Sequence, residues 1–217
     1  MCDHYCNNYL GGYYCTCKPG YQLHSDGYSC SGKCSKVRMQ QHEGTIRSPG
    51  FPHNYPRLTD CSWTVETDAG KRLHFQVNTN FHIEQHQSGF CAYDWIKITD
   101  SSGELGTFCG DGVPFNGSEI ITTTNWFEVQ LHTDYLVQKP GFSITYRTQE
   151  IRCKIPPPPM HGSILSPSIT TAGPNFVPFG GLIRYDCGVG YRVIGSAKLL
   201  CLKDGSLSDD PPVCEVF

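Results

Sequence analysis

No run of apolar residues in this 217-residue chain approaches the roughly 20 needed to cross a bilayer, so membrane insertion through a helix is not expected. No cluster of lysine and arginine occurs and the formal net charge is −3, so neither nucleic acid nor an anionic membrane surface is an implied partner. The mild negative balance speaks of solubility and of nothing more specific. Helical spacing of apolar residues is scarce throughout. A secretory signal is missing as well, which implies a chain that begins inside a larger precursor, with Met1 directly before Cys2 reading as an added start.

What is abundant is cysteine, proline and glycine, at 13, 15 and 23 residues. Cysteine this dense, spread over the whole length, reads as a disulfide framework made in an oxidising compartment. It places the protein outside the cell, secreted, and divides it into several small modules. Apolar and polar residues alternate in RLHFQV, YDWIKIT, FEVQLHT and FSITYRT, the period-two pattern of half-buried strands. Glycine, proline, asparagine and aspartate separate these segments. The expected fold class is all-β, modular and disulfide-rich.

One stretch carries chemistry, FHIEQHQSGFCAYD from Phe81 to Asp94. It offers Glu84 and Asp94, joined at a distance by Asp134, with His86 and Tyr93 beside them and Cys91 placed to staple the loop. A hard cation such as Ca2+ needs several oxygens at once, and carboxylates on loops near a cross-link supply them. Three carboxylates around one divalent ion leave about one negative charge over, enough to attract an exposed ammonium. The bland alternative for each carboxylate is a solvated loop residue. His82 and His86 are four apart in HIEQH, but that order is not H-E-x-x-H, and the spacing gathers zinc ligands only on a helix.

Three modules follow from the cysteine patterns. CNNYLGGYYCTC followed by KPGYQL resembles an epidermal-growth-factor-like (EGF) module over residues 1–33, of the calcium-binding kind. With five of that family's six cysteines present, the resemblance implies Cys2 with Cys15 and Cys17 with Cys30, leaving Cys6 free. It also implies Asn8 as a calcium ligand, with main-chain oxygens of Tyr9 and Gly12. The family's acidic cluster upstream of the first cysteine is absent here, and a structural asparagine in a turn is the alternative for Asn8.

GTIRSPGFPHNYP, then Cys61, AYDWIKI and FCG, resembles a CUB domain, a β-sandwich, over residues 34–149. That resemblance implies pairs Cys34 with Cys61 and Cys91 with Cys109, and a calcium site of Glu84, Asp94 and Asp134. Pro49, Pro52 and Pro56 forbid regular ladder pairing, so their segment is expected to wrap the sandwich as an edge or loop. The loop after Asp134 reads YLVQKPG, with Leu136 where relatives often carry serine. Asn116, in NGS, is a glycosylation acceptor by rule, or a plain Asn-Gly turn.

Cys153, Cys187, Cys201 and Cys214, with PPPPMHGSI and GYRV, resemble a complement control protein (sushi) module over residues 152–215. The implied pairs are Cys153 with Cys201 and Cys187 with Cys214. Leu207 stands in DGSL where that family usually has tryptophan. Short linkers, SGK after Cys30 and residues 148–152, lead to the expectation of a rod.

EGF, CUB and sushi in this order resemble the interior of the complement-initiating serine proteases, the mannan-binding-lectin-associated family and its first-component relatives. No GDSGG or other nucleophile setting appears, so the chain reads as a non-catalytic piece or splice form of such a protease. The resemblance implies calcium-dependent capture of a lysine from the collagen-like stem of mannan-binding lectin, ficolins or collectins. Glu84, Asp94, Tyr93 and His86 would contact that lysine. Two other readings remain: a structural spacer, or a homodimer through the EGF and CUB region, for which the aromatic run Tyr9, Tyr13, Tyr14 is suited.

Overall fold

The computed structural model describes residues 1–19, 21–34, 36–166 and 175–217, with the side chain of Ser166 also left aside. Strands and turns make up nearly all of it, with a single short 3-10 turn at Pro114–Gly117. No helix among the described residues is long and apolar enough to cross a membrane. Two compact units are formed, Met1–Thr67 with Leu73–Thr148, and Asp68–Arg72 with Gln149–Phe217.

The first unit holds a β-sandwich. One sheet runs in the order Gly103–Phe108, Trp95–Asp100, Trp126–Thr133, Thr59–Glu66, Val37–Met39; the other runs Ile120–Ile121, Lys71–Val77, Ser143–Glu150, Glu43–Arg47. Each of the four alternating segments noted in the sequence becomes one of these strands. In Trp126–Thr133 the burial alternates strictly, sending Phe127, Val129, Leu131 and Thr133 inward. Phe75 from the opposite sheet stacks on Phe127 with ring centroids 4.6 Å apart, and Ile96, Ile98, Leu73 and Ile144 complete the core. Burying each such side chain contributes about 1.5–3 kcal/mol. The proline-rich opening segment divides in two. Glu43–Arg47 pairs as the edge strand, and the chain leaves the ladder at Ser48, just ahead of Pro49.

The cysteine-rich start of this unit forms two hairpins, Tyr5–Tyr9 with Gly12–Thr16 and Tyr21–Leu23 with Cys30–Gly32. Disulfides join Cys2 to Cys15 and Cys17 to Cys30, while Cys6 is free and exposed. The SGK segment is not a free linker. Cys30, Ser31 and Gly32 are all buried in a strand, and the Gly32 N–H donates to the Thr59 hydroxyl at 2.8 Å. A Cβ on Gly32 would sit 2.8 Å from the Pro56 ring, so only glycine admits this approach. Arg57 also pairs with Asp3.

The sandwich carries Cys34–Cys61 and Cys91–Cys109. The second unit carries Cys153–Cys201 and Cys187–Cys214 and a small core of Val177, Ile183, Tyr185 and Leu199, against which Leu207 packs half-buried. Small modules cannot bury enough apolar surface to hold themselves, and these cross-links supply the remainder by restricting the unfolded chain.

Candidate metal centre

Glu84, Asp94 and Asp134 converge at one end of the sandwich, with one carboxylate oxygen of each lying within 4.8 Å of the others. Asp94 immediately precedes the strand Trp95–Asp100, and Asp134 immediately follows Trp126–Thr133. These strands are hydrogen-bonded neighbours, so adjacent strand ends deliver two of the carboxylates. Glu84 comes from the loop that follows Ile83, whose N–H and carbonyl bridge to Gly110 beside the Cys91–Cys109 disulfide.

Asp94 is the innermost of the three, fully buried. Its Oδ1 accepts the Asp134 N–H at 2.7 Å, and its Oδ2 accepts the Tyr55 hydroxyl at 2.5 Å. That same hydroxyl oxygen accepts the Glu84 N–H at 3.0 Å. Tyr55 therefore fixes two carboxylate-bearing segments through one atom, and it is fully buried itself. Asp134 Oδ1 in turn accepts the N–H of Leu136 at 2.8 Å, an aspartate side chain bonding its own backbone two residues on. The contact at position 136 thus uses the main chain, which leucine supplies as well as serine would.

Donors are fewer than this much negative charge needs. Glu84 Oε2 is buried with no hydrogen-bond partner. Burial pushes the Glu84 carboxyl above its ordinary value, and the charges of Asp94 and Asp134 push it further, with Lys139 opposing in part. Burial likewise raises Asp94, against the Tyr55 and Asp134 hydrogen bonds. An orphaned buried oxygen amid three clustered carboxylates fits a bound hard cation. The all-oxygen donor set suits Ca2+ and does not suit zinc.

The His86 and Tyr93 rings lie 5.2 Å apart, with the His86 Nδ1 close to the Ser88 hydroxyl. His82 instead bonds Asp111 at 2.8 Å. The expectation that Asp94 itself meets an incoming ammonium needs correction: with no exposed surface it reaches only the interior of the site. Glu84 and Asp134, both half-buried, remain open to solvent chemistry.

The second expected calcium position is arranged differently. Asn8 is exposed on Tyr5–Tyr9 opposite Tyr13, and Tyr9 stands opposite Gly12. A Cβ on Gly12 would lie 3.1 Å from the Tyr9 hydroxyl, so the ring covers that glycine. Asp3, the acidic residue of this module's start, is engaged by Arg57 and by the Cys30 N–H at 2.9 Å. Asn116 is exposed in a left-handed stretch, with φ of 56°, 53° and 70° from Phe115 to Gly117.

Sequence reasoning missed Tyr55 and Lys139. Tyr55 stands within GTIRSPGFPHNYP, and nothing in that motif marks its hydroxyl as the bridge to Asp94 and Glu84. Lys139 carried a signal only as the one cation in the YLVQKPG loop.

Comparison with known proteins agrees with this architecture. The CUB domain family matches residues 34–146 and the Sushi repeat (SCR repeat) family matches residues 153–214. Human mannan-binding lectin serine protease 1 is 36% identical over 99% of this chain, and the mouse complement C1r-B subcomponent is 30% identical over the same share. The chain spans 30% of the length of these relatives, and the matched part is their non-catalytic CUB, EGF and sushi region. The solved CUB1-EGF-CUB2 domain of human MASP-1/3 superposes with a TM-score of 0.61 at 39% identity, covering 68% of this chain and 54% of that one. The chain belongs to the CUB domain family and is homologous over its full length to the mannan-binding lectin serine protease 1 and C1r group.

Proposed function

We propose that this chain is the interaction region of a complement-initiating protease, and that its CUB site captures a lysine from the collagen-like stem of mannan-binding lectin, a ficolin or a collectin in a calcium-dependent way. The observation that carries the reading is the buried, unpartnered Glu84 Oε2 within a cluster of three carboxylates. Ca2+, when bound, supplies the positive charge that lets all three carboxylates ionise side by side. Asp94 and Asp134 would hold it with Glu84, and the surplus negative charge lies on the half-buried Glu84 and Asp134. Their oxygens accept from the ammonium, while Tyr93 and His86 flank the methylene stem. Each contact is weak, and avidity in a longer parent would come from several such sites on one branched lectin. In the same reading the protein is extracellular, Asn116 carries a glycan, and Asn8, Tyr9 and Gly12 form at most part of a second calcium site.

Surface plasmon resonance over immobilised mannan-binding lectin tests this, in calcium, in EDTA and with Asp134→Asn. Binding present only for the unaltered chain in calcium is expected. No binding by a folded, calcium-loaded chain at high concentration would overturn lysine capture. A second reading, self-association, is favoured by one observation: Tyr5, Tyr9, Leu10, Tyr13 and Tyr14 are all exposed on a single hairpin. Sedimentation at increasing concentration separates the two.

A further inference from the structure

The sandwich has four edge strands, and three of them are protected. Ile120–Ile121 has two residues and Val37–Met39 three, too short to template a partner, and Gly103–Phe108 is broken by a register shift between Glu104 and Gly106. Short edges and bulges keep sheets from pairing with other chains. Glu43–Arg47 has neither device. It pairs with Ser143–Glu150 in an unbroken register, Thr45 opposite Thr145. The Ser48 N–H donates to the Phe142 carbonyl at 3.1 Å, and the Thr148 N–H to the His42 carbonyl at 2.7 Å. Bonded positions alternate along an antiparallel ladder. Positions 42, 44, 46 and 48 therefore bond the neighbouring strand, and the N–H and carbonyl groups of Glu43, Thr45 and Arg47 point off the sheet. No described residue outside the ladder bonds them. The side chains divide likewise. Ile46 is buried in the core, and Gly44 lies so close to Tyr146 that a Cβ there would meet its hydroxyl at 2.5 Å. Glu43, Thr45 and Arg47 are exposed. Arg147 stands directly opposite Glu43, but its guanidinium is committed to Glu119 at 2.8 Å, which leaves Glu43 unpaired among the described residues. Opposite Arg47 is the buried, uncharged Ser143.

We infer that Glu43–Arg47 is a docking edge for a second copy of this chain, the two strands adding antiparallel about a two-fold axis at Thr45. Charge complementarity selects this occupant, because EGTIR is complementary to itself. In that register Glu43 meets the second copy's Arg47, Arg47 meets the second copy's Glu43, and Thr45 meets its own counterpart. Opposite charges and paired threonines directly across a ladder are favourable. The register also suits the backbone. Each of the three outward residues gives one N–H and one carbonyl, so the two copies together close six ladder bonds. A slip of one residue sets outward groups against inward ones, and a slip of two loses both charge pairs. Pairing of this kind is isologous and closes at two copies, since each sandwich spends its one unprotected edge. Five residues a side make a small contact, so the dimer belongs to the weak, transient class. The edge is separate from the acidic centre and from the exposed tyrosine hairpin, and the inference does not depend on lysine capture.

The test is sedimentation equilibrium of the whole chain with no lectin present, so its outcome reads separately from capture. A monomer–dimer equilibrium without larger species is expected. Thr45→Pro removes an outward N–H while sparing the ladder inside the chain, as an edge strand tolerates. It should abolish the dimer and leave the monomer folded by circular dichroism. Glu43→Arg alone, or Arg47→Glu alone, turns both attractive pairs repulsive and should weaken dimerisation about tenfold. Glu43→Arg combined with Arg47→Glu restores both pairs in the same register and should recover the original affinity to within about twofold, a rescue that misfolded variants could not give. A chain that sediments as a monomer at about 1 mM would overturn the proposal. So would single reversals that the combined exchange fails to rescue. A dimer that survives Thr45→Pro but is lost in Tyr13→Ser would overturn it in favour of the tyrosine hairpin.

Discussion

Asp94 and Asp100 lie at opposite ends of one strand, both buried, yet their surroundings are opposites. Asp100 is saturated with donors: the Ser102 N–H and hydroxyl at 2.8 and 2.6 Å, and the Thr123 N–H and hydroxyl, both at 2.9 Å. Burial alone would raise its pKa, but these hydrogen bonds outweigh burial and hold the carboxyl below its ordinary value. At Asp94 burial prevails over two donors, and the Asp134 charge adds to it. The first arrangement is complete within the chain and staples a turn. The second is left short of donors within the chain. A buried carboxylate is thus evidence of a site when its donors fall short, and evidence of structure when they do not.

The largest expected effect comes from setting the two aspartates against each other. Asp100→Ala strands four donors, and with about 1–3 kcal/mol for each that stays buried and unsatisfied, a loss of about 3 kcal/mol or more is expected in urea unfolding. The loss should be the same in calcium and in EDTA. Asp94→Ala strands the Tyr55 hydroxyl and the Asp134 N–H but also removes a repelled charge. It should therefore cost about 1–2 kcal/mol in EDTA and clearly more in calcium, where the unaltered chain gains from the metal. Equal dependence of both variants on calcium would erase the distinction drawn between them.

Next in size is the metal itself. Free calcium at a hundred times its dissociation constant stabilises the folded state by about 2.7 kcal/mol, which calorimetry reads as a rise of several degrees in Tm. Asp134→Asn should abolish most of that rise while raising Tm slightly in EDTA, because it relieves repulsion on Glu84 and Asp94.

The pH dependence sharpens the same contrast through its sign. Glu84 and Asp94 have folded-state pKa values raised above their unfolded ones. Their ionised forms cost stability above the folded pKa, and the cost disappears as pH falls through it. Asp100 is lowered; its contribution is full above the unfolded pKa and is lost as pH falls through the folded one. In EDTA, acidifying from neutral should first narrow the Tm gap between the unaltered chain and Asp134→Asn. An Asp100→Asn variant should approach the unaltered chain only at lower pH. A gap that widens on mild acidification would contradict the assignment of strained carboxylates to the Glu84 cluster.

The strands were legible because one face of each is buried, and burial writes a period of two into FEVQLHT and WIKITD. The three carboxylates were legible through the motifs around them. Their order of depth was not: the sequence YD says nothing about Asp94 being sealed inside while Glu84 and Asp134 stay half-open, since depth is set by packing of Tyr55 from a distant loop. Asp100 was passed over for the same reason, because its role depends on Thr123, brought near only by the sheet. The SGK segment misled for a local reason. A short polar tripeptide reads as a linker, and only the close approach of Pro56 and Thr59 to Gly32 turns Ser31 and Gly32 into the end of a buried strand, with Lys33 exposed beyond it.

Tyr55→Phe is the smallest change expected to register and bears most directly on preorganisation. The hydroxyl donates to Asp94 and accepts from the part-buried Glu84 N–H, so its loss leaves that N–H without this partner and removes a donor from an already undersupplied carboxylate. Stability in EDTA should fall by about 1 kcal/mol. Calcium affinity should fall about tenfold, as when a group that orients metal ligands is removed. A metal would replace the lost donor at Asp94 but cannot restore the common anchor that holds the Glu84 and Asp94 segments in register. Titration calorimetry separates these contributions. Unchanged affinity together with the stability loss would mean that Tyr55 is only packing, and that the carboxylates are held in place by their strands alone.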